Sequence, residues 1–334
     1  MGEFRDRNNH HRRPELRRND HHDDEKIDEA IELPTISLHD ISRADIDPEI
    51  QRRLFEAFRE NHFLIIDDVF TEEEIEKFHH MQRILFDLST EEKEQHATTT
   101  PLQPGFSPYG NAKALDTGIP NLLETWDFPR LDPPMNWPSR LVNELDLLRS
   151  IEGRMYDISV TALSGLARSL GDEPDAFLPY IDRRSAGMQL IHYFPIDTEV
   201  DLQGARRQSH HTDNTLITII PPPSAPGLRA QLGTGEWMYV NLQKTQALIQ
   251  SGRMLQRITG GTISACLHTV DVLSQYRGES RYSSPFFVSV PENVTVSVMA
   301  SQQTREALER YPAQLAGDIQ REYFSSIFGE RYKQ

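Results

Sequence analysis

Apolar positions recur with a helical period in the first half of the chain and with the texture of short strands in the second. Leu33-Pro34-Thr35-Ile36 reads as a brief strand that opens the folded part. Ile50, Leu54 and Phe58 repeat at i, i+4 and i+8, which predicts a helix over 48–61. His62 to Val69 (HFLIIDDV) is short, apolar and β-branched, as a buried strand should be. Thr71 with Glu74 forms a capping box and starts a helix through Leu88, with Ile75, Phe78 and Leu85 on one face. Ser89 with Glu92 starts another, shorter one. Residues 100–137, rich in Pro, Gly and Asn, read as irregular. A long helix is expected over about 139–170, with Gly171 at its C′ position.

After residue 185 short strand-like runs follow one another: MQLIHYF (188–194), TLITII (215–220), EWMYV (236–240), TQALIQ (245–250), TISACLH (262–268) and PFFVSV (285–290). Gly and Pro punctuate them, including Pro221-Pro222-Pro223 and Gly260-Gly261. Such spacing predicts a sandwich or barrel. The stretch 302–329 returns to a helical pattern. The expected organisation is a polar tail (1–30), a helical and mixed region (31–184), a β core (185–300) and a C-terminal helix (301–334). The fold class is mainly β with flanking helices.

Composition changes this picture at one end. Residues 1–30 carry seven Lys/Arg, nine Asp/Glu and four His with almost no large apolar side chains. They cannot bury enough surface to offset their ordering entropy, so disorder is expected. The formal charge of −16 repels phosphate backbones, and no basic groove interrupts it, which argues against nucleic acid. No run of about 18 apolar residues is present, so no membrane-spanning helix is expected. The single cysteine, Cys266, allows no intramolecular disulfide. With no signal-peptide pattern at the start, the expected location is the cytoplasm. Nothing in the sequence sets an oligomeric state.

The candidate chemistry starts at His211-Thr212-Asp213. In an extended segment, residues i and i+2 face one side, so this imidazole and carboxylate can reach a common point. A second imidazole from a distant strand would complete a two-His, one-carboxylate set. That set covers one face of an octahedral iron(II) and leaves positions open. His268, at the end of TISACLH, is the candidate, and Gly260-Gly261 would let that segment turn sharply. On spacing alone, surface or core histidines explain the pattern equally well. His210 should point the opposite way. Cys266 should share the inward face of His268, as a small buried filler or as a thiol near the metal.

The segment SHHTDNTLITII resembles the metal-binding strand of the isopenicillin N synthase-like family of 2-oxoglutarate/iron(II) oxygenases. Other family elements follow in order: HYFP at 192–195, SGRMLQRITGG, CLHTV and RYSSPFF at 281–287, with LPTISL, NHFLIIDDV, FDLSTEEK and ETWDF before them. The resemblance covers roughly residues 33–330. It implies a double-stranded β-helix (jelly-roll, cupin-like) core. It implies iron(II) held by His211, Asp213 and His268, which would be the catalytic centre. It also implies that Arg281 and Ser283 hold the distal carboxylate of 2-oxoglutarate, with Tyr193 beside the same pocket. A guanidinium fork suits a carboxylate bidentately. Outside the resemblance, Arg281 reads as a surface ion-pair residue, the commoner fate of an Arg, and Tyr193 reads equally as a core tyrosine. The chain departs from the family at Gln189 and Thr269, where Arg is common, and at Gly252-Arg253, where Gly-Asp is common.

The function implied is oxidation of an unactivated C–H bond of a small amino-acid-derived or natural-product substrate. Hydroxylation is the default outcome, and desaturation or cyclisation are variants. O2 and 2-oxoglutarate would be consumed, and succinate and CO2 formed. Two alternatives stand beside it: an iron(II) oxidase of the same fold that uses no 2-oxoglutarate, and a non-catalytic metal-binding β-barrel. Phe106, Tyr109 and Trp126 are placed on the substrate side of the pocket by their position in the irregular region.

Overall fold

The computed structural model describes residues 33–98, 104–110, 121–129, 136–196 and 207–328. The polar segment 1–30 lies outside the described residues. The N-terminal elements obey the periodicities above. Strand β1 (Thr35–Ser37) leads into helix α1 (Leu38–Ile41). Helix α2 (Pro48–Glu60) starts at the Asp47 cap with Pro48 in its first turn, and buries Ile50, Leu54, Ala57 and Phe58. After β2 (Phe63–Asp67), helices α3 (Glu72–Phe86) and α4 (Thr90–Glu94) each begin with a complete capping box.

The region 100–137 is not wholly irregular. It contains β3 (Gly105–Ser107) and β4 (Leu123–Pro129). β4 pairs along its full length with β5 (Ala186–Tyr193), far along the chain, so no local pattern announces it. The helix expected over 139–170 opens with a 3-10 turn (Ser139–Glu144) and continues as α5 (Leu145–Ser169). Gly171, at φ +86°, ends it: its N–H reaches the Arg168 carbonyl, and the Asp172 N–H reaches that of Ala167. That is a Schellman cap, as expected of Gly at C′.

The β core then comprises β6 (Gln208–His211), β7 (Ile217–Ile220), β8 (Leu228–Gln231), β9 (Trp237–Tyr239) and β10 (Ala247–Ser251). Helix α6 (Arg253–Ile258) and strands β11 (His268–Val270), β12 (Arg281–Ser283) and β13 (Phe286–Val288) complete it. TISACLH is therefore not a strand that His268 ends; His268 begins the strand. The residues before it form a turn through Gly260 and Gly261, at φ +58° and +87°, and then an extended segment anchored by the Cys266 N–H on the Ser251 carbonyl. The C-terminal helix is two helices, α7 (Arg305–Arg310) and α8 (Ala316–Phe328), because Pro312 cannot continue the first.

Two sheets face each other. The larger runs β1-β2-β10-β7-β13-β5-β4-β3, with β12 also on β5; the smaller runs β6-β11-β8-β9. This is the mainly β jelly roll with flanking helices that the resemblance implied. The large sheet is covered on both faces. Phe63, Ile65, Ile220, Ile191 and Leu248 join Leu228, Ala230 and Val270 of the smaller sheet in an inner cluster. Leu64, Ile66, Ile219, Ile249, Leu190 and Phe286 pack outward against helices α2, α3 and α5 in the main core. Double coverage explains why FLII and ALI are unbroken apolar runs rather than alternating ones. No helix among the described residues is long and apolar enough to cross a membrane.

Candidate active site

A cavity opens between the two sheets. Tyr193, His211, Asp213, His268, Arg281 and Ser283, the site residues expected from sequence, all line it. His211 closes β6 and lies opposite His268, the first residue of β11. Their ring centroids stand 4.1 Å apart. Asp213, just past β6, brings Oδ1 to 3.7 Å from His211 Nε2 and 3.9 Å from His268 Nε2. One ligand atom from each residue lies within 4.8 Å of the other two. An ion with bonds of about 2.1 Å can touch donors up to about 4 Å apart, a span that both carboxylate–imidazole separations meet, so the three side chains converge on one point.

The second contacts of these ligands decide their chemistry. His211 Nδ1 lies 2.8 Å from the Ser209 carbonyl, and His268 Nδ1 lies 3.1 Å from the Cys266 carbonyl. A carbonyl only accepts, so each Nδ1 carries the proton and each Nε2 keeps its lone pair for a metal. Burial pushes the His211 pKa down to about 4, and neighbouring His268 adds to the shift. Burial alone would raise Asp213, but the two imidazoles and two hydrogen bonds more than offset it and hold its pKa below the ordinary value. Near neutral pH the pair presents a neutral imidazole and a carboxylate, which is the ligand-ready state.

Those two hydrogen bonds come from residues that pattern reading missed. Thr218 Oγ1 and Gln250 Nε2 both donate to Asp213 Oδ2, at 2.7 and 2.8 Å, which leaves Oδ1 facing the imidazoles. Both donors are fully buried. The available signal was a polar residue inside an apolar run, Thr in LITII and Gln in ALIQ, since a buried polar group needs a partner. The backbone helps as well. The Arg253 N–H donates to the Asp213 carbonyl at 2.8 Å, and a Cβ at Gly252 would stand 2.2 Å from the Thr215 carbonyl oxygen. Tyr323 of α8 donates its hydroxyl to the Thr212 carbonyl, and Arg253 lies over the Tyr323 ring. Helix α8 thus pins the residue between the two ligands, and the departure at Arg253 acquires a partner.

The other end of the cavity is cationic. Arg281 is 1% exposed; its Nε donates to the Ala225 carbonyl at 2.9 Å, and its guanidinium lies 5.0 Å over the Tyr193 ring. Its Nη1 is buried without a partner, and burial lowers its pKa to about 10. No carboxylate pairs with Arg281 among the described residues. A buried guanidinium with an open N–H is costly unless a ligand anion completes it. Ser283, two residues on, lies on the same strand face. The Tyr193 hydroxyl donates to Gln208 Oε1 at 2.8 Å, and Gln208 Nε2 lies 3.1 Å from His211 Nε2. Gln208 thus links the two ends of the cavity, another residue that sequence reading missed. Arg207, also fully buried, adds positive charge near Tyr193 and Arg281.

Other expectations resolve individually. His210 turns away and packs on Trp237, with ring centroids 4.7 Å apart. Cys266 is fully buried in the inner cluster; burial raises its pKa, so it acts as a filler whose carbonyl orients His268. Phe106 and Trp126 do not line the cavity. They pack against each other in the main core with rings tilted at 45°, because even-numbered positions of β4 face outward. Tyr109 is 51% exposed and meets Phe194 instead. Thr269 donates to the Gln208 carbonyl at 2.7 Å, a local bond where the family favours Arg.

Comparison with known proteins agrees with this geometry. Residues 185–290 match the family described as the 2OG-Fe(II) oxygenase superfamily. The proline hydroxylase buaE of Petromyces alliaceus is 26% identical over 65% of this chain and 73% of its own length. The 2-oxoglutarate-dependent dioxygenase citB of Monascus ruber is 31% identical over 45% of this chain and 46% of its own. Among solved structures, a full-length Neurospora crassa protein in complex with alpha-KG and thymine superposes with a TM-score of 0.76 at 20% identity, covering 88% of this chain and 97% of that one. A putative 2OG-Fe(II) oxygenase family protein of Caulobacter crescentus gives 0.74 at 23% identity, over 87% and 97%. The fold, the three convergent side chains and these matches agree on the 2-oxoglutarate/Fe(II) oxygenase superfamily, whose family model residues 185–290 match.

Proposed function

We infer that the protein oxidises a C–H bond of a small molecule with O2 and 2-oxoglutarate, using iron(II) held by His211, Asp213 and His268. The observation that carries this reading is one cavity lined both by a facial two-His, one-carboxylate set and by a buried guanidinium with an unpartnered N–H. The donor set suits iron(II). The Arg281 end suits a dicarboxylate. When bound, iron(II) and 2-oxoglutarate supply the oxidising power taken from O2, and the cosubstrate leaves as succinate and CO2.

The remaining work falls to the chain. Thr218 and Gln250 hold Asp213 Oδ2 so that Oδ1 meets the ion. The Ser209 and Cys266 carbonyls fix the imidazole tautomers. Arg281 and Ser283 receive the distal carboxylate, with Tyr193 as one wall. The apolar side chains of Ile191, Ile220, Leu228 and Val270 line the same space and exclude water around the reacting atoms. Hydroxylation is the simplest outcome, because it needs no second bond to be broken.

Anaerobic titration of the Fe(II)-loaded protein with 2-oxoglutarate tests this reading through the visible charge-transfer band. The band is expected in wild type and absent in His268→Ala. Arg281→Ala should need roughly 10–100-fold more cosubstrate. Iron bound with no band would favour an oxidase that does without 2-oxoglutarate. Failure to bind iron in wild type would sink the assignment.

A further inference from the structure

The cavity carries one polar side chain that the cosubstrate reading does not use, Gln189. Strand β5 presents Gln189, Ile191 and Tyr193 to it, and Tyr193 lies opposite Arg281. Gln189 lies four residues back, about 13 Å along the strand from the guanidinium end. Opposite Gln189 on β4 is Asp127. Gln189 Nε2 donates to Asp127 Oδ1 at 2.8 Å, so the amide is committed as a donor. Among the described residues Gln189 Oε1 and Asp127 Oδ2 meet no other side-chain donor, and both residues are half-buried. The end of the cavity away from Arg281 is therefore lined by the Gln189 amide, with the Asp127 carboxyl bonded behind it, and its chemistry is the reverse of the Arg281 end.

The route from the metal ligands to this pair is apolar and open. Thr218, which holds Asp213, lies opposite Phe287 of β13, and Phe287 lies opposite Gly187 of β5. Phe287 lines the cavity. A Cβ at Gly187 would meet only the Phe128 carbonyl oxygen, at 3.5 Å, so nothing crowds that rung. Two to three strand spacings separate β7 from β5 and β4, about 10–14 Å.

We propose that Asp127 and Gln189 form the specificity-determining end of the substrate site, taking a protonated amine or other strong N–H donor about 10 Å from the carbon that is oxidised. The substrate's middle is apolar and lies over Phe287 and Gly187. Burial holds the Asp127 pKa up at about 7, so an arriving cation draws the carboxyl into its ionised form. An arginine in place of Gln189 would neutralise the acid and favour anionic substrates instead. The proposal rests on the cosubstrate reading above.

The test uses the full-length protein loaded anaerobically with Fe(II) and 2-oxoglutarate. Three probes sharing one frame, 4-phenylbutylamine, 4-phenylbutan-1-ol and 4-phenylbutanoate, are titrated by calorimetry. The amine should bind at least about 10-fold tighter than the carboxylate. Asp127→Asn should erase that ratio while leaving 2-oxoglutarate affinity within about twofold, and Gln189→Arg should invert it. Equal affinities in wild type, an unchanged ratio in Asp127→Asn, or no amine binding with 2-oxoglutarate still bound would each overturn the proposal. Loss of 2-oxoglutarate binding in wild type would instead overturn the underlying reading.

Discussion

The two faces of the sheet around β4, β5 and β12 treat their polar groups oppositely. On the outer face, Glu124 and His192 are buried opposite each other and bonded both to each other and to further side chains. Glu124 accepts from Lys93 Nζ and lies against His192 Nδ1, each at 2.8 Å, and His192 Nε2 meets the Ser280 hydroxyl at 2.9 Å. Tyr282 stacks on the same imidazole. On the inner face, among the described residues, Arg281 keeps an open N–H, and Asp127 meets a single side-chain donor, Gln189. A saturated buried polar group is part of the fold. An unsaturated one is a cost the fold tolerates because a ligand will complete it.

That contrast predicts opposite stability effects. The largest should come from the outer face. Glu124→Leu strands Lys93 and should cost about 3–5 kcal/mol, read as a lower denaturation midpoint with an unchanged 2-oxoglutarate Kd per folded protein. Arg281→Leu should leave the midpoint unchanged or raise it by about 1 kcal/mol while cosubstrate binding collapses. If both variants lose similar stability, the distinction between the faces fails.

The metal end gives a smaller effect. Thr218→Val and Gln250→Leu should each weaken Fe(II) or Co(II) binding about 10–100-fold, with Thr218→Ser close to wild type. Unchanged affinity would mean that the Arg253 N–H and the tight turn at Gly252 suffice to aim Asp213.

The smallest effect is the most diagnostic of the cavity mouth. Asp127 has a folded pKa of about 7 against an ordinary value of 3.8. Below the lower value both states are protonated and the residue contributes nothing. As pH rises from there to about 7, the unfolded chain releases the proton first, so stability falls, and the full cost stands above pH 7. Asp127→Asn should therefore match wild type near pH 4 and exceed it by about 1–2 kcal/mol at pH 8, the partly open position reducing the effect. Thermal melts at the two pH values check it. A constant difference across pH would show that the carboxyl is not held neutral by its surroundings.

Much of the molecule was legible before any fold was known, because its signals are local. The caps at Thr71 and Ser89, the stripe Ile50, Leu54, Phe58 and the stop at Gly171 depend on near neighbours alone. The pair His211 and Asp213 was visible for the same reason, since extended backbone puts i and i+2 on one side. Family resemblance supplied His268, Arg281, Ser283 and Tyr193, which spacing could only nominate. What stayed hidden was whatever depends on pairing across distance. β4 has no strand texture of its own and exists because β5 accepts it along its whole length. Trp126 and Asp127 are chain neighbours that the pleat sends to opposite sides, one into the core and the other against Gln189 of the cavity wall. The sequence determined which groups could bind a metal and an anion; only the register of the sheets decided which polar side chains meet partners and which are left open for a ligand.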